Sequence, residues 1–346
     1  MEPRESPTRA ERITFVTLAS IASLVVLFVF LVRPGLTGHH RADFPELMGG
    51  TAHRPYVTRA LIPLSVRTAV ALTPAAVRDG VARSLRGREF VDDVGWYDEY
   101  LYEFALTTAA MFFCLVLFAW VLRRLTETVY DLPRPVVNLA PVIALILLPL
   151  FFRYYSYPYD PATLFLFSAA ILFMLQRRFF WVVFTVALAS ANKETSILLL
   201  PLYALHEWMR ERRIPFVRTA AVVLVWIVLR ATLMLLYRDN PGSLVENHFT
   251  EHTVWLLAKF PMAMRYTLVV VALFAIPVAH RWRDKPAFLR RGLAVTLLPL
   301  VLAGAVFGFL DELRGYYEAF PFLYLLALPA VMRWFGSDCR AREVSA

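Results

Sequence analysis

Long apolar stretches alternate with short polar gaps along this chain, and the gaps are of two alternating kinds. One kind is loaded with basic residues: Arg123/Arg124/Arg134, Arg177/Arg178, Arg210/Arg212/Arg213/Arg218, Arg281/Arg283/Lys285/Arg290/Arg291 and Arg333/Arg340/Arg342. The other carries Asp, Glu, His, Tyr and scattered cations. The apolar stretches run over roughly 13–32, 102–122, 136–152, 161–175, 179–191, 195–207, 217–237, 265–280, 292–310 and 318–332. At about 1.5 Å per helical residue, the uncharged stretch 13–32 crosses roughly 30 Å of hydrocarbon. The pattern predicts a single all-α integral membrane domain over residues 1–346 with about ten transmembrane helices. Arg33 and Pro34 follow the first stretch where a cleavage site would need small residues, so it reads as a retained helix and not a signal peptide.

With ten crossings, every basic cluster falls on one face. The positive-inside rule makes that face cytoplasmic, with both termini inside and the chain in the plasma (inner) membrane. Residues 179–208 force a choice between one long helix and a hairpin with Asn192, Lys193 and Glu194 at its tip. Arginines flank both ends, which requires an even number of crossings and so predicts the hairpin. Its arms are short for a bilayer, so the tip should sit below the outer surface in a protein-lined, watered cavity.

The long gap 34–100 lies on the outer face and repeats apolar residues. Thr73-Pro74 reads as an N-cap with Pro at the first helical position, and Val77, Val81 and Leu85 share one face of the helix that follows. That is a short amphipathic surface helix. The stretch 56–72, interrupted by Pro63, predicts a second. There is no internal repeat and no low-complexity segment.

Composition agrees. Of 346 residues 59% are hydrophobic, and the mean hydropathy is +0.55, more apolar surface than a soluble fold can hide. The net charge of +9 belongs to the anchoring arginines and does not point to nucleic acid. Lysine occurs only at Lys193, Lys259 and Lys285. Cys114 and Cys339 suggest neither a disulfide framework nor a cysteine metal site.

The chemistry is therefore sought among the outward polar residues. The first loop offers His39, His40, Asp43, Glu46, Arg54 and Arg59; the next outer gap offers Arg153, Tyr154, Tyr155, Tyr157, Tyr159 and Asp160. The hairpin tip offers Lys193 and Glu194; further along come Arg230, Arg238, Glu246, His248, Glu251 and His252; and the last gap offers Asp311, Glu312, Arg314, Tyr316, Tyr317 and Glu318. Arg230 stands inside the seventh stretch, where a charge is costly unless it faces a cavity or a partner. Plain structural readings compete: Tyr154 to Tyr159 as an interfacial aromatic belt, Glu312 with Arg314 as a simple pair, Arg230 as a snorkelling side chain. Cations beside carboxylates in an outward cavity suit sugar transfer from a lipid-linked phosphate. Arginine or lysine stabilises the leaving phosphate, a carboxylate takes the proton of the attacking hydroxyl, and tyrosines stack on sugar rings.

The layout resembles the GT-C superfamily of membrane glycosyltransferases: a first helix from the cytoplasm, a long outer loop with surface helices, and an acid early in that loop, matched here by Asp43. A second acid between helices three and four is matched by Asp160 in Tyr157-Pro158-Tyr159-Asp160-Pro161. Asn192-Lys193-Glu194-Thr195 and Glu312-Leu313-Arg314 also look like segments of uncharacterised bacterial members. The first-loop acid is single here, where the family often has a pair. The resemblance implies Asp43 as general base and Asp160 as the residue that orients the acceptor or holds a divalent metal. It makes Arg54, Arg59, Lys193, Arg230 and Arg314 candidates for the phosphate site, Glu194 for positioning, and Tyr157, Tyr159 and Glu312 for substrate contacts. The implied partners are membrane lipids and a lipid-linked sugar donor; nothing in the sequence specifies an oligomer. Two other readings stay open: a transporter or lipid flippase, and a non-catalytic assembly protein. The enzyme reading expects Asp43, Asp160, Lys193 and Arg314 to open into one shared hollow.

Overall fold

The computed structural model describes residues 8–33, 35–152, 154–243, 245, 247–260, 262–337 and 339–342. Arg153 and Glu246 lie outside the described residues. The fold is all-α. Its helices are α1 (Arg9–Val32), α2 (Phe44–Gly49), α3 (Leu61–Leu72), α4 (Ala75–Leu85), α5 (Glu89–Asp93), α6 (Leu101–Val129), α7 (Arg134–Leu147), α8 (Asp160–Leu175), α9 (Phe179–Asn192), α10 (Leu199–Glu211), α11 (Phe216–Leu236), α12 (Phe249–Lys259), α13 (Arg265–Ala279), α14 (Ala287–Phe307) and α15 (Phe320–Trp334). Five helical segments are long and apolar enough to cross a membrane: Arg9–Val32, Asp98–Val129, Arg134–Phe151, Phe216–Leu236 and Ala287–Phe307. The apolar helices α8, α9, α13 and α15 are shorter.

At the centre stands α8, apolar on every side, which is the mark of a helix with no solvent face. It packs on α6, α9, α10 and α15. The outer helices keep one apolar face exposed: Leu224, Ile227 and Val228 on α11, Val269 and Ile276 on α13, Leu298 and Leu302 on α14. Such a rim suits lipid and not water. Close approach of α14 to α15 depends on Gly292, where an added Cβ would meet the Phe322 ring at 2.5 Å.

One end of the bundle collects the basic residues. Glu11 at the start of α1 pairs with Arg134 at 3.0 Å, and the strands β1 (Tyr130–Asp131) and β2 (Arg340–Ala341) pair antiparallel. The beginning of the chain, the α6–α7 connection and the C-terminal tail therefore share this end. Arg291 lies over Trp208 at 5.7 Å, which brings the α10 and α14 ends to it as well.

Some local expectations are corrected. Thr73 does not cap the amphipathic helix; its hydroxyl donates to the Ala69 carbonyl and ends α3, and Pro74 takes the N-cap position of α4. Pro63 does not interrupt its helix, because α3 starts at Leu61 and a first turn needs no donor there. Helix α6 continues past 122 to Val129, since Arg123 is matched by Glu127 at 3.1 Å and by Asn138 at 2.7 Å. The short amphipathic helix α12 is not foreseen by the apolar pattern.

Candidate functional site

Lys193 breaks the helix run between α9 and the 3-10 turn Glu194–Leu198 by adopting an extended backbone. The tip therefore projects charged side chains away from the basic end, toward the first loop and the segment preceding α15. There the chain encloses a cavity of about 800 Å³. Its polar wall holds His39, His40, Arg59, Tyr154, Tyr155, Tyr157, Glu194, Thr195, His248, Glu312 and Arg314; its apolar wall is Val245, Trp255, Ala303, Phe307 and Phe309, from the α12 and α14 ends.

Two guanidinium–carboxylate pairs organise the polar wall. Arg59 binds Glu194 through both oxygens, Nε to Oε2 at 3.0 Å and Nη2 to Oε1 at 2.5 Å, and its Nη1 donates to the Tyr159 hydroxyl. Burial alone would raise the Glu194 pKa, but the Arg59 charge and its hydrogen bonds outweigh that and bring it down to about 2. Burial would lower the Arg59 pKa, yet Glu194 and Tyr159 hold it well above its ordinary value. Arg314 lies over the Tyr157 ring at 4.3 Å, donates to Glu312, and stands 3.7 Å from Asp160. Against its burial, Glu312 foremost keeps Arg314 firmly charged. Tyr157 and Tyr159 stack at 5.0 Å and 6° between the two arginines. Tyr157 and Tyr159 are thus ring platforms inside the protein, while Tyr154 and Tyr155 of the same run are exposed.

Behind this wall lies a second, buried layer. Asp160, 1% exposed, accepts from the Tyr157 backbone N–H at 3.2 Å through Oδ2, while its Oδ1 has no hydrogen-bond partner among the described residues. Lys193 pairs with the fully buried Glu318 at 2.9 Å, and Thr195 donates to the same Glu318 oxygen. Asn192 donates to the Tyr159 carbonyl at 3.0 Å and to Thr163 at 2.9 Å, tying the hairpin tip to α8.

The structure thus gathers Arg59, Tyr157, Tyr159, Asp160, Lys193, Glu194, Glu312 and Arg314. Only some of these line the cavity: Asp160 and Lys193 sit behind it, so the expectation of a single hollow shared with Asp43 is corrected. Asp43 caps α2 by accepting from the Phe44 N–H at 2.9 Å and takes the Tyr97 hydroxyl at 3.1 Å; it does not line the cavity. Arg54 is turned to the α11–α12 connection, where its side chain donates to the Gly242 carbonyl at 2.6 Å and its backbone N–H to the Pro241 carbonyl at 2.8 Å. Arg230 neither snorkels nor faces the cavity. It donates to the Thr58 and Ser190 carbonyls at 3.3 and 3.2 Å and to the Thr58 hydroxyl at 3.2 Å, pinning α11 to the first loop and to α9.

Glu318 stands among the outward polar residues of the sequence without a role there, and Trp255 of α12 carries no sequence signal for the cavity wall it forms. The signal for Glu318 was a carboxylate opening an apolar span, which demands a buried cation, and Lys193 is that cation. Among the described residues no three His, Cys, Asp or Glu side chains group as metal ligands. Asp160 in particular faces Arg314, Lys193 and Arg59, whose charges oppose a divalent cation. The residues present therefore do not fit the metal that the resemblance allowed. Compared with known families and proteins, the chain matches no family model, no curated protein and no solved structure.

Proposed function

We propose that this protein is a membrane glycosyltransferase of the GT-C type, moving a sugar from a polyprenyl-phosphate donor to an acceptor hydroxyl at the outer membrane face. In this reading about ten helices cross the plasma membrane and the basic end with both termini is cytoplasmic. One observation carries the proposal: one cavity combines a wall of paired charges and stacked rings with an apolar wall of Val245, Trp255, Ala303, Phe307 and Phe309. That division matches a ligand with a polar head and a hydrocarbon tail.

The acceptor oxygen attacks the anomeric carbon, the bond from that carbon to the phosphate oxygen breaks, and polyprenyl phosphate leaves with the electron pair. Arg59 and Arg314 supply positive potential beside the leaving phosphate. Glu312 receives the acceptor proton: one oxygen is held by Arg314, and the other has no hydrogen bond from the described residues. Glu194, clamped through both oxygens, is better suited to hold sugar hydroxyls than to take a proton. Asp43 is given no proton-transfer role, because it caps a helix outside the cavity.

The test uses the full chain in lipid nanodiscs with a synthetic polyprenyl-phosphate hexose and a membrane extract as acceptor source. Wild type should consume the donor, Glu312→Gln should lose about 10²–10⁴-fold in rate, and Asp43→Asn should retain it. If wild type neither consumes the donor nor gains thermal stability from it, the reading fails. Loss in Asp43→Asn with retention in Glu312→Gln would return the base to Asp43.

A further inference from the structure

The basic end contains a second place where chemistry converges, and the reaction above makes no use of it. The α8–α9 turn, α10 and the start of α11 bring Arg177, Arg178, Arg210 and Arg218 around one groove with Tyr203 and Glu207. Glu207 is already matched by Arg210 at 3.2 Å. Arg178 and Arg218 are exposed and have no carboxylate partner among the described residues; Arg218 rests over the Phe179 ring at 5.8 Å. The groove is therefore a net positive site, with Arg178 and Arg218 exposed to its surroundings. The first turns of α9 and α11 begin beside it without side-chain caps, which adds their N–H groups to the positive potential.

Its surroundings identify the anion. Phe180 is 70% exposed, Phe216 83% and Val217 80%, with Trp181 also exposed. Water-exposed arginines ringed by large apolar side chains do not suit a free soluble anion, which would leave those rings uncovered. They suit a phosphodiester head whose acyl chains run down the apolar faces of α9 and α11. We infer that Arg178 and Arg218, exposed at the mouth of this groove whose interior holds only about 10 Å³, form a surface site for the headgroup of an anionic phospholipid in the leaflet at the basic end and hold its phosphate.

Native mass spectrometry of the full chain extracted from mixed phosphatidylglycerol and phosphatidylcholine membranes tests it. Wild type should retain phosphatidylglycerol in preference to phosphatidylcholine. Arg178→Gln/Arg218→Gln should weaken that retention about ten- to thirtyfold, while its melting temperature in pure phosphatidylcholine stays that of wild type. The control Arg281→Gln/Arg283→Gln removes two charges from the same end and should leave retention intact. Glycerol phosphate in solution should fail to displace the lipid. Equal loss in the control would reduce the effect to general surface charge and overturn the site. Displacement by glycerol phosphate would replace the lipid with a soluble phosphate, and unchanged retention in the double variant would remove the two arginines. None of these outcomes bears on the outer cavity.

Discussion

Replacing Lys193 by Met tests how the hairpin tip is held. The ammonium lies 2.9 Å from Glu318, and both side chains are buried, at 8% and 0% exposure. At an effective dielectric of about 20, the attraction at this separation is on the order of 6 kcal/mol, offset by the cost of taking both charges out of water. Removing one partner of such a buried pair typically costs about 3–5 kcal/mol, because the other charge is left behind. Thr195 still donates to Glu318 in the variant, so the lower end of that range, about 3 kcal/mol, is expected. That shifts the folded-to-unfolded ratio more than about a hundredfold. Glu318→Gln should be similarly costly, and the double variant Lys193→Met/Glu318→Gln should cost less than the sum of the singles by about 1–3 kcal/mol. Denaturant titration in mixed micelles reads this directly. Trp226, whose Nε1 donates to Ser196 at 3.0 Å, is a fluorescence reporter beside the hairpin. Single variants that each cost under about 0.5 kcal/mol, or a strictly additive double variant, would show that the pair is not what holds the tip.

Gly292→Ala should destabilise by about 1–3 kcal/mol through overpacking against Phe322; Gly292→Ala/Phe322→Leu should recover part of it, and an unchanged midpoint in the single variant would mean α14 and α15 do not meet this closely. Acid should weaken the protein through Glu194. Its pKa falls from 4.5 to about 2 on folding, so its contribution is complete above about pH 4.5 and is lost as the pH drops toward 2. The melting-temperature gap between wild type and Glu194→Gln should therefore close over that interval; a gap independent of pH would mean that the Arg59 clamp is not formed.

Much of this molecule is local information. Apolar runs such as 13–32 have one physical solution in lipid, a helix, because only that closes the backbone hydrogen bonds within the segment. The arginines at 177–178 and 210–218 bracket Lys193, and the break between α9 and the 3-10 turn that precedes α10 falls at that residue. What no local pattern encodes is which polar side chain turns toward which neighbour across the bundle. Asp43 and Glu312 both stand in polar gaps between apolar stretches, yet one caps a helix and the other lines the cavity. Arg230 and Arg59 are both cations set among apolar residues, yet one is spent on backbone carbonyls and the other clamps a carboxylate. Hydropathy and charge spacing constrain where the chain crosses lipid, since those are properties of each segment alone. The pairing of Lys193 with Glu318, more than a hundred residues away, depends on how α8, α9 and α15 pack, and that only the assembled tertiary structure decides.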